Sequence, residues 1–136
     1  MASTSQYAST PNIGSANITA ALGGTRATPT GASTLITAGA SGSIIFRAII
    51  QNNQPVGSGA PSANVARFYL HNGSTYYLVK EYGFTATDAA AGTASTPFEV
   101  PFNDLVVPTG WTLQAGISVR ASDVDDTCIT AFAGNF

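Results

Sequence analysis

The sequence predicts an all-β protein: an antiparallel β-sandwich of jelly-roll-like type with about seven or eight strands and an extended N-terminal arm. Three observations predict it. Apolar and polar residues alternate with a period of two in one run after another from Leu35 onward. Segments rich in Gly, Pro, Asn and Ser separate those runs at regular intervals. No window shows helical spacing bounded by caps.

Residues 1–33 read as a segment of their own. They carry one charge, Arg26, and are mostly Ala, Ser, Thr, Gly and Asn, interrupted by Ile13 and the apolar spot from Ile18 to Leu22. Such a composition makes a floppy tail unless something holds it. The expectation is an arm of the held kind, followed by a sandwich domain at residues 34–136.

The strongest strand is residues 43–52. Ile44, Phe46, Ala48 and Ile50 read as its core face, yet Ile45 and Ile49 make the other face apolar as well. A strand apolar on both sides needs cover from another element or subunit. A Pro/Gly/Ser loop follows at 53–62. In residues 64–71, Ala66, Phe68 and Leu70 face inward against Val65, Arg67, Tyr69 and His71. Asn72-Gly73 is a strong hairpin signal, because both central turn residues need φ > 0. Residues 76–85 return as the partner strand, with an irregularity near Lys80-Glu81 suggesting a bulge. After an Ala/Gly/Thr loop, Phe98, Val100 and Phe102 alternate around Pro101, which marks an edge strand. Leu105-Val106-Val107 reads as a separate short strand and Pro108-Thr109-Gly110 as a turn. Residues 112–121 point Leu113, Ala115, Ile117, Val119 and Ala121 in, and Thr112, Gln114, Gly116, Ser118 and Arg120 out. A last strand runs from Thr127 to about residue 133.

Five basic and seven acidic residues in 136 leave 9% charged and a net charge of −2, against about 25% charged in an ordinary domain. Ser and Thr, 30 together, supply the solubility. So few scattered cations cannot neutralise a run of phosphates or seek an anionic bilayer, so neither nucleic acid nor membrane is expected as a partner. No apolar run approaches the roughly 20 residues that span a bilayer, and the first residues lack a signal-peptide pattern. Charges keep free proteins apart and sheet edges unpaired. A chain with so few reads as one that works in an assembly.

Catalytic chemistry is not expected, and the chain reads as a non-enzyme. His71, the one histidine, has no acid or Ser placed to make a triad. Cys128, the one cysteine, reads as a small buried apolar residue and permits no intrachain disulfide. Asp123, Asp125 and Asp126 begin like a calcium loop, but Thr127 and Cys128 stand where a third acidic ligand and the turn glycine belong. They read as a polar turn, with weak calcium binding alongside Asp104 left open; no metal or cofactor is expected. The only glutamates, Glu81 and Glu99, are glycosidase candidates by elimination alone. The sequons at Asn17 and Asn72 carry little meaning without a secretory signal. Tyr69, Tyr76, Tyr77, Tyr82 and Trp111 cluster around the hairpin and the Pro-Thr-Gly turn. Packing accounts for them, and Tyr77 and Trp111 are also possible stacking residues for a sugar.

Three stretches carry a resemblance: Thr34-Leu35-Ile36-Thr37-Ala38-Gly39-Ala40 running on to the strand with Arg47; Arg67-Phe68-Tyr69-Leu70-His71-Asn72-Gly73-Ser74-Thr75-Tyr76-Tyr77-Leu78; and Leu105-Val106-Val107-Pro108-Thr109-Gly110-Trp111-Thr112-Leu113 with the terminal Ala131-Phe132-Ala133-Gly134-Asn135-Phe136. In this pattern of turns and strands, across most of residues 34–136, the chain resembles the small virion proteins of tailed bacteriophages, particularly head decoration or cement proteins. The resemblance implies a structural protein on the outer capsid surface, assembled in the bacterial cytoplasm. Its implied partners are the major capsid protein and copies of itself in a homotrimer that bridges capsid subunits. A carbohydrate-binding or tail- or fibre-associated module is the alternative. The expected contact residues are Ile13, Ile18, Leu22 and Arg26 of the arm and Ile45, Arg47 and Ile49 of the two-faced strand. An uncharged arm lies on a protein without stripping ions of water.

Overall fold

The computed structural model describes residues 8–52, 63–85, 97–118 and 127–136. Within them lie ten strands: β1 (Thr10–Ile18), β2 (Gly23–Gly24), β3 (Pro29–Thr30), β4 (Ser33–Thr37), β5 (Ser43–Asn52), β6 (Ala63–His71), β7 (Tyr76–Thr85), β8 (Phe98–Val107), β9 (Thr112–Ile117) and β10 (Thr127–Asn135). The first sheet has the order β1-β10-β5-β8 and the second β4-β9-β6-β7, while β2 and β3 pair as a separate ribbon. Every strand pairing is antiparallel.

Within the two sheets, one pair of sequence neighbours, β6 and β7, forms a hairpin. From β4 to β5, β5 to β6, β7 to β8, β8 to β9 and β9 to β10 the chain changes sheet each time. That alternation is the wrapping of a jelly roll. Between the sheets lie Ile45, Ala48 and Ile50 of β5, Ala66, Phe68 and Leu70 of β6, Val100, Phe102 and Val107 of β8, Leu113, Ala115 and Ile117 of β9, and Ile129, Ala131 and Ala133 of β10. Phe68 and Phe102 meet edge to face across the layers, 5.0 Å apart.

β5 departs from simple alternation. Ile45 pairs with Ala133 and Arg47 with Phe132, so Phe46 is an extra residue with no partner on β10. On its other side, Ile45 pairs with Leu105 and Arg47 with Pro101. A bulge of one residue flips every side chain beyond it. The core face is therefore Ser43 and Ile45, then Ala48 and Ile50; Phe46 points out and Ile44 is half-buried. Phe46 is thus no core residue, and Ile45 is fully buried. Both sides of the strand are apolar, as the sequence predicts, with these memberships exchanged.

β8 differs too. Leu105–Val107 is the end of one ten-residue strand rather than a separate element. Asn103 and Asp104 absorb a bulge at φ 49° and 61°, a left-handed region that Asn and Asp tolerate better than most residues. Pro101 does lie on an edge strand. The expected irregularity of β7 is a register shift that leaves Val79 unpaired, just before Lys80.

Residues 8–32 run along the sandwich. β1 pairs with β10 over its full length and forms an edge of the first sheet. It packs so tightly on β4 that a Cβ at Gly14 would strike the carbonyl oxygen of Leu35. Asn12 donates to the Thr37 carbonyl at 3.1 Å and to Asn135 Oδ1 at 2.9 Å, and Ser43 donates to the same Oδ1 at 2.6 Å. The chain then crosses to the outside of the second sheet. The Leu22 amide donates to the Ile117 carbonyl at 2.8 Å, and the Leu22 side chain fills the space over Gly116. The outward side of β9 is consequently covered: Gln114 is buried, donating to Thr112 Oγ1 at 3.1 Å.

Candidate functional site

The two sheets present unlike outer faces. On the first, cross-strand pairing lines up Ile13, Phe132, Arg47 and Pro101 in one row, and Ser15, Thr130, Ile49 and Glu99 in the next. The row on the other side of the bulge holds Pro11, Gly134, Ile44 and Val106. Ile13 is 61% exposed, Val106 51% and Phe46 46%. A large apolar residue exposed singly is ordinary; several on one sheet face form a patch that marks an interaction surface. Its charges cancel, because the Arg47 guanidinium bonds Glu99 at 3.4 Å and lies 4.5 Å from the Phe132 ring centroid. Beside Phe46, residues 8–11, Ala133 and Gly134 line a shallow hollow of about 300 Å³.

The second sheet's outer face carries the β2–β3 ribbon. The turn between its strands is closed by Thr25 and Thr28, whose hydroxyls lie 2.6 Å apart. It delivers Arg26 to Glu81, which also accepts from Arg67 Nε at 2.9 Å. The hydrogen bond from Arg67 holds the Glu81 carboxyl below the usual carboxylate range, and Arg26 adds to the effect. Tyr69, fully buried beneath the ribbon, donates its hydroxyl to the Arg26 carbonyl at 3.1 Å. Burial pushes its pKa above 10, and the Glu81 charge acts in the same direction.

Next to the ribbon, Arg26, Ala27, Tyr76, Tyr77 and Leu78 line a depression of about 410 Å³ along β7, an edge strand. The Tyr76 ring faces outward with His71, and the Tyr77 ring faces inward with Leu70. Trp111 stacks on Tyr77 with centroids 5.4 Å apart and planes 14° from parallel, and His71 stacks on Tyr76 at 4.2 Å. Tyr77 remains 45% exposed.

The residues expected at an interface therefore separate. Ile18 and Ile45 lie in this chain's own core. Leu22 and Arg26 belong to the second sheet's outer face, where Leu22 covers Gly116 and Arg26 bonds Glu81. Ile13, Arg47 and Ile49 share the first sheet's outer face. Phe46, Phe132 and Val106 join them there; their signal in sequence was the two-sided apolar character of β5, and the bulge hid Phe46. Tyr77 and Trp111 do meet, but Trp111 spends a ring face on Tyr77.

Glu81 and Glu99 sit on opposite outer faces, each bonded to arginine. They do not flank a common cleft. His71 is half-buried, lying against Tyr76 and Gln114. Cys128 is half-buried on the outer side of β10, between Asn17 and Gln51, rather than in the core. Among the described residues no cluster of His, Cys, Asp and Glu could hold a metal ion. Asp104 lies in the β8 bulge, and Asp123, Asp125 and Asp126 fall outside the described residues. No described helix is long and apolar enough to cross a membrane.

No family model and no curated protein matches this chain. One solved structure is similar. It is a chain of the cyanophage Pam1 capsid asymmetric unit, aligned over 100% of this chain and 92% of that one, at 16% identity and a TM-score of 0.49. A likeness of that degree carries no conclusion about what this chain does.

Proposed function

We propose that the chain is a structural protein of a phage virion, a head decoration or cement protein that docks on the outer capsid surface and bridges capsid subunits as a homotrimer. The observation that carries this reading is the outer face of the first sheet. Ile13, Ile44, Phe46, Ile49, Val106 and Phe132 spread over four strands around a single neutralised ion pair. Water is displaced from such a face at little electrostatic cost, because its Arg47 and Glu99 are paired with each other. A two-sheet sandwich makes it rigid, so little conformational freedom is lost on docking. Weak contacts repeated around a trimer then add by avidity. The turn-and-strand resemblance to decoration proteins points the same way, and the low overall charge suits a surface that stays covered.

Because β1 completes the first sheet, its contribution is tested by point changes rather than by removing it. Phe46→Asp and Ile13→Asp, each placed on an exposed side chain, should abolish co-sedimentation with capsids assembled from the major capsid protein of the same genome. Their thermal midpoints should stay near that of the parent. Decoration unchanged in both variants, or a protein that is a monomer both free and on the particle, refutes the reading.

A further inference from the structure

We infer that the depression along the edge of β7 binds an acidic sugar unit, its ring against Tyr76 and Leu78 and its carboxylate on Arg26. Its size, about 410 Å³, falls within the roughly 300–1,000 Å³ of small-ligand sites. Most of its lining is apolar and aromatic, which calls for a ligand with one flat hydrophobic face. The Tyr76 ring is fixed in advance by His71 stacked on it and by Tyr69 edge-on, so binding immobilises little. Among the described residues β7 pairs on one side only, and that edge offers main-chain N–H and C=O groups to sugar hydroxyls.

The charge at the rim decides the class of sugar. Two guanidiniums, Arg26 and Arg67, share one carboxylate, Glu81, which leaves one positive charge locally in a chain of net charge −2. Arg67 is the more enclosed of the two; the Arg26 side chain is 62% exposed and borders the depression. A guanidinium carries five N–H donors in a fork that matches a carboxylate. Glu81 occupies one nitrogen of Arg26, which leaves further donors for a ligand. A neutral sugar would use the Tyr76 ring and waste the charge; an acidic one uses both.

This site goes beyond the capsid reading and does not rest on it. It lies on the second sheet's side of the sandwich, opposite the apolar face, so a docked copy presents it outward.

The test is titration of the full chain, by calorimetry and by chemical shifts, with 3′-sialyllactose and a galacturonic acid trisaccharide against lactose and galactotriose. Each acidic probe should bind roughly tenfold more tightly than its neutral counterpart, as expected for one charge-assisted contact, and the preference should shrink as salt is added. Arg26→Gln should remove the preference, Arg26→Lys should keep part of it, and Tyr76→Ala should remove binding of all four. Arg47→Gln, which deletes the same charge from the opposite face, should change nothing. Equal affinity for acidic and neutral probes overturns the proposal. So does no binding of any probe at millimolar concentration, or equal losses in Arg26→Gln and Arg47→Gln.

Discussion

The bulge in β5 makes a quantitative claim that separates two adjacent residues. Ile45 is fully buried between the sheets, whereas Phe46 stands outside and is nearly half exposed. Truncating Ile45 to alanine removes three carbons, worth about 2.4 kcal/mol at about 0.8 per buried methylene. The unfilled cavity raises the cost to about 3–4 kcal/mol. Truncating Phe46 removes more carbon but opens no enclosed cavity, and should cost less than about 1.5 kcal/mol. With a urea dependence of roughly 1.5 kcal/mol per molar, the midpoints of Ile45→Ala and Phe46→Ala should differ by about 1 M or more. Equilibrium urea denaturation followed by tryptophan fluorescence reads this directly, since Trp111 is the one tryptophan. Simple alternation requires the reverse order, with Phe46→Ala the costlier at about 3–5 kcal/mol. Finding Phe46→Ala as damaging as Ile45→Ala would refute the register of β5 and with it the apolar outer face.

Three further outcomes follow from the ribbon and its surroundings. Glu81 has a depressed folded-state pKa, so its contribution is full above the unfolded value near 4.5 and is lost as pH falls through the folded value; the stability gap between parent and Glu81→Gln should be open at pH 7 and closed at strongly acid pH in paired melts. Tyr69→Phe deletes the hydroxyl that satisfies the Arg26 carbonyl and should cost about 1 kcal/mol in denaturant titrations, with faster hydrogen exchange confined to residues 21–31. Gly14→Ala sets a Cβ against main chain at Leu35, whereas a Cβ at Gly116 meets only the movable Leu22 side chain; Gly14→Ala should therefore lower the melting midpoint far more than Gly116→Ala.

Much of the fold was legible because its signals are local. The inward and outward sets of β6 needed only alternation and the edge position of β8 only Pro101; Asn72-Gly73 signalled the β6–β7 hairpin, but its loop is the four residues 72–75, with φ positive at Gly73 and not at Asn72. The inversion within β5 was not legible, because it is fixed by partners far away in sequence. Phe46 is extruded where Ala133 and Phe132 pair on either side of it and where Asn103-Asp104 kink β8 opposite. The run before residue 33 hid its strand for another reason. Its inward positions in β1 include Gly14 and Ala16, small because β4 lies so close, and small residues carry almost no hydrophobic signal. The aromatic group around Tyr77 and Trp111 was visible as a cluster; that Arg26 would reach it depended on the ribbon crossing the second sheet.

β10 sits between β1 and β5, yet it is made after every other strand. During synthesis on the ribosome, β1 waits without its neighbour and β5 is paired on the β8 side alone. The β6–β7 hairpin is the one long-strand pair that closes locally, which suits it to form first, while the rest depends on distant pairings that close slowly. The first sheet becomes continuous only after Thr127–Asn135 has emerged, so its apolar outer face is completed late in folding. A chain cut short before that strand has no such face to offer.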